Sequence, residues 1–292
     1  MSCGAMSEAL RGISAMGLAC VIWGLSPLFY ALLTHMPPLE VLAYRTLWSL
    51  IFFGLVLALQ GRLGALWHAV GHPARAGRTL AAGLLIGCNW FGFIYAVHAG
   101  RALEASLGYY IFPLMAVLLG RLVLGERLHG LQALAVALAA AGVLVLTAGL
   151  GVTPWIALAL ATTFSAYGLM KKRLAVGPVV SVTAETLLLA PLALAWLALQ
   201  GTGQSLGTHL LLALSGPLTA APLILFAFAA QRARLSTLGL VQYLNPTLQF
   251  LCAVLILAEP FTRWHGLAFA AIWAALALYS AVALAQDRSA RR

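Results

Sequence analysis

EASLGYYIFPLMAVLLGRLVLGE (104–126) and TLGLVQYLNPTLQFLCAVLILAE (237–259) are two apolar stretches built on one pattern. Tyr110, Pro113 and Glu126 in the first correspond to Tyr243, Pro246 and Glu259 in the second, always 133 residues apart. Arg101 and Arg234 share that offset. A helix needs about 20 apolar residues to cross some 30 Å of hydrocarbon, and each stretch meets that length. Four chemically distinct matches at one constant spacing indicate a duplicated span, because two unrelated apolar helices would share leucines rather than a proline, a tyrosine and two charges.

Outward from this pair, ten segments qualify as spans: 12–33, 38–59, 79–98, 102–122, 128–148, 152–170, 179–199, 208–230, 236–257 and 263–285. The fourth and ninth are the matched pair. An odd number of steps separates them, so the two copies cross in opposite directions. The expected fold is therefore an all-α polytopic membrane protein, with ten transmembrane helices as a 5+5 inverted-topology repeat. Residues 1–150 form one five-helix half and 151–292 the other, with no soluble domain. Inverted repeats recur in secondary transporters, where exchanging the conformations of two related halves turns a site from one side to the other.

Composition demands the same solvent. Only 8% of the 292 residues are charged and 63% are hydrophobic, against about 25% charged in soluble proteins. The mean hydropathy is +0.98. The net charge of +10 would suggest nucleic acid in a soluble chain, but no basic stretch is interleaved with aromatics in a polar setting. Basic residues in cytoplasmic loops explain the charge better. With the N-terminus inside, 14 of the 17 Lys and Arg fall in cytoplasmic segments, Arg101 and Arg263 lie outside, and Arg45 lies within a span. Both termini are thus expected in the cytoplasm of a bacterial-type cell, the chain lying in its inner membrane. The first span is too long for a signal-peptide h-region and precedes no small-residue cleavage site.

Five stretches, VIWGLSPLFY (21–30), EVLAYRTLWSL (40–50), NWFGFIYAV (89–97), LEASLGYYIFPLMAVLLGRLVLGERL (103–128) and QYLNPTLQFLCAVLILAEPF (242–261), resemble the EamA-type transporters of the drug/metabolite transporter superfamily. The resemblance covers nearly the whole chain. It implies ten helices in two inverted halves around a central cavity reached alternately from each side, and it leaves the substrate open.

The residues themselves suggest where such a cavity lies. Charges within a span tend to face a water-filled cavity or a partner. Arg45 lies about seven residues into the second span and Glu185 about six into the seventh. Arg45 is expected to attract a substrate carboxylate or phosphate, and Glu185 to bind an amine or a proton. The competing reading is snorkelling to the two interfaces. A second group comprises Asn89, Trp90 and Tyr95, then Tyr109 and Tyr110, then Gln242, Tyr243 and Asn245. Mid-membrane amides facing lipid would be left unsatisfied, so these side chains should face inward. Pro113 and Pro246 should each free a carbonyl four residues earlier, those of Tyr109 and Gln242. The competing reading here is helix–helix hydrogen bonding. Trp23 and Tyr167 are mid-span aromatics suited equally to packing or to the pathway. Trp67, Trp155 and Trp264 read as interfacial anchors. Glu126 and Glu259 are expected to hold helix junctions through Arg127 and Arg263.

Other chemistry is disfavoured. There is no GxxxxGK[ST] loop for ATP, no nucleophile triad and no metal-ligand spacing among the His and Cys residues. No cofactor, metal or enzymatic activity is expected. The expected partners are a small-molecule substrate and the lipid bilayer, without nucleic acid, and a monomer is compatible with this reading. The expected function is secondary transport, as an exporter of small polar or amphipathic metabolites such as amino-acid-like compounds, by alternating access. An uncoupled facilitator or channel is the alternative, and an intramembrane enzyme or lipid scramblase a more distant one.

Overall fold

Proline opens three of the long helices. Pro38, Pro73 and Pro178 stand at the first helical position, where an N–H would have no intrahelical partner and the fixed φ suits the helix. Elsewhere side chains cap. His72 Nδ1 accepts from Ala74 N at 3.3 Å and Ser205 Oγ from Thr208 N at 3.3 Å. The computed structural model describes residues 3–125, 130–151, 153–171, 177–200, 204–233, 238 and 241–289. Glu126, Arg127 and Arg234, with their expected roles, lie outside the described residues.

The described chain is helical throughout: α1 (Cys3–Gly24), α2 (Ser26–Ala31), α3 (Pro38–Leu59), α4 (Ala65–Val70), α5 (Pro73–His98), α6 (Ala102–Leu124), α7 (Gly130–Leu150), α8 (Trp155–Lys171), α9 (Pro178–Gln200), α10 (Leu206–Ala230), α11 (Leu244–Leu251) and α12 (Arg263–Ser289). A π-helical turn, Cys252–Ile256, continues α11. Among the described residues eight helical segments are long and apolar enough to cross a bilayer, α1 and α2 counting together as Glu8–Ala31. The other two expected spans are helical but shorter. α8 has 17 residues, and Leu244–Ile256 is a short apolar helix. The protein is a multi-pass α-helical membrane protein.

The two matched prolines both lie between helical residues. Pro113 sits inside α6, as expected of a mid-span proline. Pro246 sits in the first turn of α11, whose N-cap is Tyr243. Pro246 is the third residue of α11, and Val241 and Gln242 ahead of the Tyr243 turn are helical too, so the helix is interrupted just before this proline.

The helices pair α7 with α12, α6 with α8, α3 with α9 and α10, α1 with α10 and α11, α5 with α8 and α9, and α6 with α11. Close approach rests on small residues. A Cβ on Gly108 of α6 would lie 2.8 Å from the carbonyl oxygen of Ala157 on α8, so only glycine admits that crossing. The surface left over is apolar, with Leu55, Leu199 and Leu255 among the exposed side chains, as lipid contact requires.

Most of the deep packing is gathered at one end. Leu33, Met36, Val41, Ile94, Val97, Leu103 and Leu107 belong to the largest buried cluster. Hydrogen bonds lock the same end. His98 bridges the carbonyls of Ile94 (2.9 Å) and Leu33 (3.0 Å). Glu104 Oε1 accepts from Ile156 N at 2.8 Å, and Arg101 pairs with Glu104 at 2.5 Å. Gln204 Nε2 donates to Glu40 Oε1 at 3.1 Å, tying the region after α9 to the start of α3.

Glu259 does not act through Arg263. Ala258, with φ of +53°, turns the chain back, and the Glu259 carboxylate accepts from the N–H groups of Ala102 (2.6 Å) and Leu103 (2.7 Å). These are orphan donors at the start of α6, where a negative group is favoured. Burial raises the carboxyl's pKa above its ordinary value, the two N–H donors work against that rise, and the Glu104 carboxylate adds to it. Arg263 instead lies over the Trp264 ring, 4.8 Å from its centroid.

Candidate functional site

Below the locked end lies a cavity of about 590 Å³, inside the range of roughly 300–1,000 Å³ typical of small-molecule sites. Its position follows from the helices that line it. Tyr30, Arg45 and Phe93 stand nearest the locked end. Val182, four residues into α9, lines it toward the other end, as does Ser280 of α12. The cavity thus lies between segments of both halves of the chain and extends toward the end opposite Glu259.

Of the sequence-derived candidates, Arg45, Asn89, Trp90, Tyr109, Pro113, Tyr167, Gln242, Tyr243, Asn245 and Pro246 line it, and Trp23 joins them. Three do not. Tyr95 is 36% exposed and packs beside Phe91 and Trp155 on the outer face. Tyr110 is buried against Phe269 and Trp273, and its hydroxyl is 2.6 Å from Thr247 Oγ1, linking α6 to α11. Glu185 is fully buried in another arrangement. The reason is helical phase: Tyr109 and Tyr110 are about 100° apart around α6, so only one of two neighbours can face a given side.

Arg45 does not snorkel. It is 7% exposed, and its Nε–H donates to Thr219 Oγ1 at 3.1 Å. Thr219 sends its own hydroxyl hydrogen to Ser215 O at 2.8 Å, which leaves a lone pair for the guanidinium. The guanidinium carbon lies 4.3 Å from the centroid of Trp90 and 5.6 Å from that of Tyr30, within cation–π range. No carboxylate pairs with it among the described residues. It is also the one charged side chain among the described residues lining the cavity.

Glu185 does not snorkel either. Its Oε1 is 2.6 Å from Lys171 Nζ and accepts from Ser181 Oγ at 2.8 Å. Its Oε2 accepts from Tyr167 OH at 2.9 Å. Lys171 also donates to Ser181. Every charge in this group is answered by another, and Tyr167 is the member that reaches the cavity.

Asn89 is satisfied as well as cavity-lining. Its Nδ2 donates to Leu160 O (3.0 Å) and Thr163 Oγ1 (3.1 Å), and its Oδ1 accepts from Tyr109 OH (3.1 Å). It joins α5, α8 and α6 and fixes the Tyr109 ring at the wall. On α11, Gln249 Nε2 donates to Asn245 Oδ1 at 3.0 Å, while Gln249 Oε1 is buried without a partner among the described residues. Gln249, Thr219 and Tyr30 were not among the sequence candidates. Gln249 alone carried a usable signal, an amide one helical turn beyond Asn245.

Residues 10–148 match the EamA-like transporter family. The uncharacterized transporter YojE of Bacillus subtilis is 42% identical over 284 residues, which cover 94% of this chain and 95% of that protein. Protein RarD of Streptomyces exfoliatus is 44% identical over 292 residues (97% and 90%), and protein RarD of Escherichia coli 38% over 279 (93% and 94%). A crystal structure superposes with a TM-score of 0.62 at 21% identity, covering 94% of this chain and 96% of that one, a likeness of fold. The chain belongs to the EamA-like transporter family, among its RarD-like members, and is a membrane transporter. Its relatives are named as transporters and not as enzymes, in line with the non-enzymatic expectation.

Proposed function

We propose that the protein is a secondary transporter that exports small polar or amphipathic metabolites, such as amino-acid-like compounds, by alternating access. The observation that carries this reading is the cavity locked at one end and extended toward the other, with residues of both chain halves on its wall. A continuous channel would lack such a lock.

Ten spans in two inverted halves, 1–150 and 151–292, form the machine in this reading. Exchanging α1 with α8, α3 with α9, α5 with α10, α6 with α11 and α7 with α12 turns the main helix pairings into one another. The α6–α8 pairing becomes α11–α1, α3–α10 becomes α9–α5 and α1–α10 becomes α8–α5, while α3–α9, α6–α11 and α7–α12 map onto themselves. The family match over 10–148 spans one such half. The basic-residue count supports, in this reading, both termini on the cytoplasmic side of a bacterial inner membrane. The cavity then extends toward the cytoplasm, where an exporter loads, and the Glu259 lock stands outside.

Uncoupled facilitated transport is the second reading, favoured by the lack of a carboxylate among the described lining residues. Counterflow of a metabolite mixture in proteoliposomes, with and without a pH gradient, tests both. Solute movement that rises with the gradient is expected for coupled export, and gradient-independent equilibration for facilitation. If no solute moves, the transport reading fails.

A further inference from the structure

From the chemistry of the cavity we infer a narrower cargo: organic anions with a planar, apolar body and no positive charge, held by Arg45. This rests on the transport reading and selects, among metabolites, carboxylates whose amine is absent or masked. An arginine removed from water needs a counter-charge or acceptors. Arg45 is nine-tenths buried, yet the protein supplies one acceptor, the Thr219 hydroxyl, and no carboxylate among the described residues. Its face is covered by Trp90. The remaining N–H donors of the guanidinium have no protein acceptor among the described residues. A planar fork of donors in that state matches a carboxylate, which can accept two parallel bonds.

The rest of the wall decides what accompanies the carboxylate. Tyr30, Phe93, Tyr109 and Phe164 present aromatic surface, which suits a flat apolar body. A ligand ammonium would find no lining carboxylate among the described residues to meet it. The nearby Glu185 is already neutralised by Lys171 and is not among the residues that line the cavity. An ammonium group would therefore lose its hydration without a charged partner, beside a resident cation of the same sign. Arg45 thus both recruits the anion and rejects the amine.

The test holds the ring constant and varies the charge. The full chain, purified in detergent, is titrated with 3-phenylpropionate, phenylalanine and phenethylamine, reading tryptophan fluorescence (Trp23 and Trp90 line the cavity) and thermal stabilisation. We expect 3-phenylpropionate to bind at least about tenfold tighter than either amine-bearing probe. Arg45→Gln should erase that preference and Arg45→Lys keep part of it. The preference in the unmodified chain stands as a test even where a variant does not fold. Equal binding, a reversed order, no binding of any probe, or an unchanged preference in Arg45→Gln overturns the inference. Transport failing separately is visible in proteoliposomes. If the cation or zwitterion moves instead, the transporter reading survives and the anion inference falls. If 3-phenylpropionate binds through Arg45 but no solute moves, the reverse holds.

Discussion

Arg45 of α3 and Glu185 of α9 each stand seven residues past the proline that opens their helix, and each is followed by a threonine. Both are buried charges within a span, and neither reaches for an interface. There the likeness ends. Glu185 meets Lys171, Ser181 and Tyr167 in a group that balances its own charge. Arg45 meets a hydroxyl and two aromatic rings and keeps donors in reserve toward the cavity. A buried ion pair mainly offsets its own desolvation and adds little beyond that, while removing one partner is costly. An unpaired buried charge is itself destabilising, and its presence at a cavity points to a role in binding. In the proposed reading the two positions divide the work, Glu185 holding helices together and Arg45 holding the ligand.

The largest effect expected from this division is on stability at the first position. Glu185→Leu leaves Lys171 without its counter-ion. Because the Lys171 side chain is 23% exposed, the loss should fall at the low end for a broken buried pair, about 3 kcal/mol. It is measured as a lowered midpoint of thermal unfolding in detergent. Adding Lys171→Met should restore most of that stability. A double variant no better than the single would show that the pair does more than neutralise itself.

At the second position binding should suffer and stability should not. Arg45→Gln removes charge-assisted bonds worth about 1.5–3 kcal/mol to a bound anion, a tenfold to hundredfold loss in affinity. The unfolding midpoint should stay nearly unchanged, since an unpaired buried charge also leaves. If Arg45→Gln unfolds the protein as strongly as Glu185→Leu, the contrast between the two sites breaks.

Two smaller changes sharpen it. Tyr167→Phe deletes the 2.9 Å bond to Glu185 and should reduce stability by about 1 kcal/mol, with a modest effect on transport through the cavity wall. Thr219→Val removes the acceptor that orients Arg45. It should raise the half-saturating substrate concentration a few-fold and leave the maximal rate and the fold intact, read from initial rates of counterflow.

Hydropathy and charge made most of the architecture legible, because the bilayer imposes a length and a polarity on each span that a sequence must display openly. Arg45 was legible for the same reason: a charge in an apolar run advertises a cost that something must offset. The cavity wall was legible in outline, through amides and prolines in equally unsuitable surroundings. Where neighbours differed only in direction, the reading could not separate them. Tyr109 and Tyr110 look alike in sequence and face different partners, and Tyr95, two residues from the cavity-lining Phe93, turns outward with Phe91 and Trp155. Pro113 stays inside a continuous helix, whereas the helix around Pro246 is broken at Tyr243, a difference the matched spacing did not display. Glu259 was expected to act locally through Arg263, whereas its partners are the Ala102 and Leu103 N–H groups more than 150 residues away.

The sequence by itself determined the helices, their approximate limits, the family and which side chains could not face lipid, since each follows from local composition or from spacing along the chain. Tertiary structure alone decided which buried charge is neutralised and which meets no carboxylate among the described residues, and which end of the cavity is locked. Those outcomes depend on what a neighbouring helix presents at one depth and one angle. A carboxylate reads the same in sequence whether it meets an ammonium, a helix N-terminus or empty space.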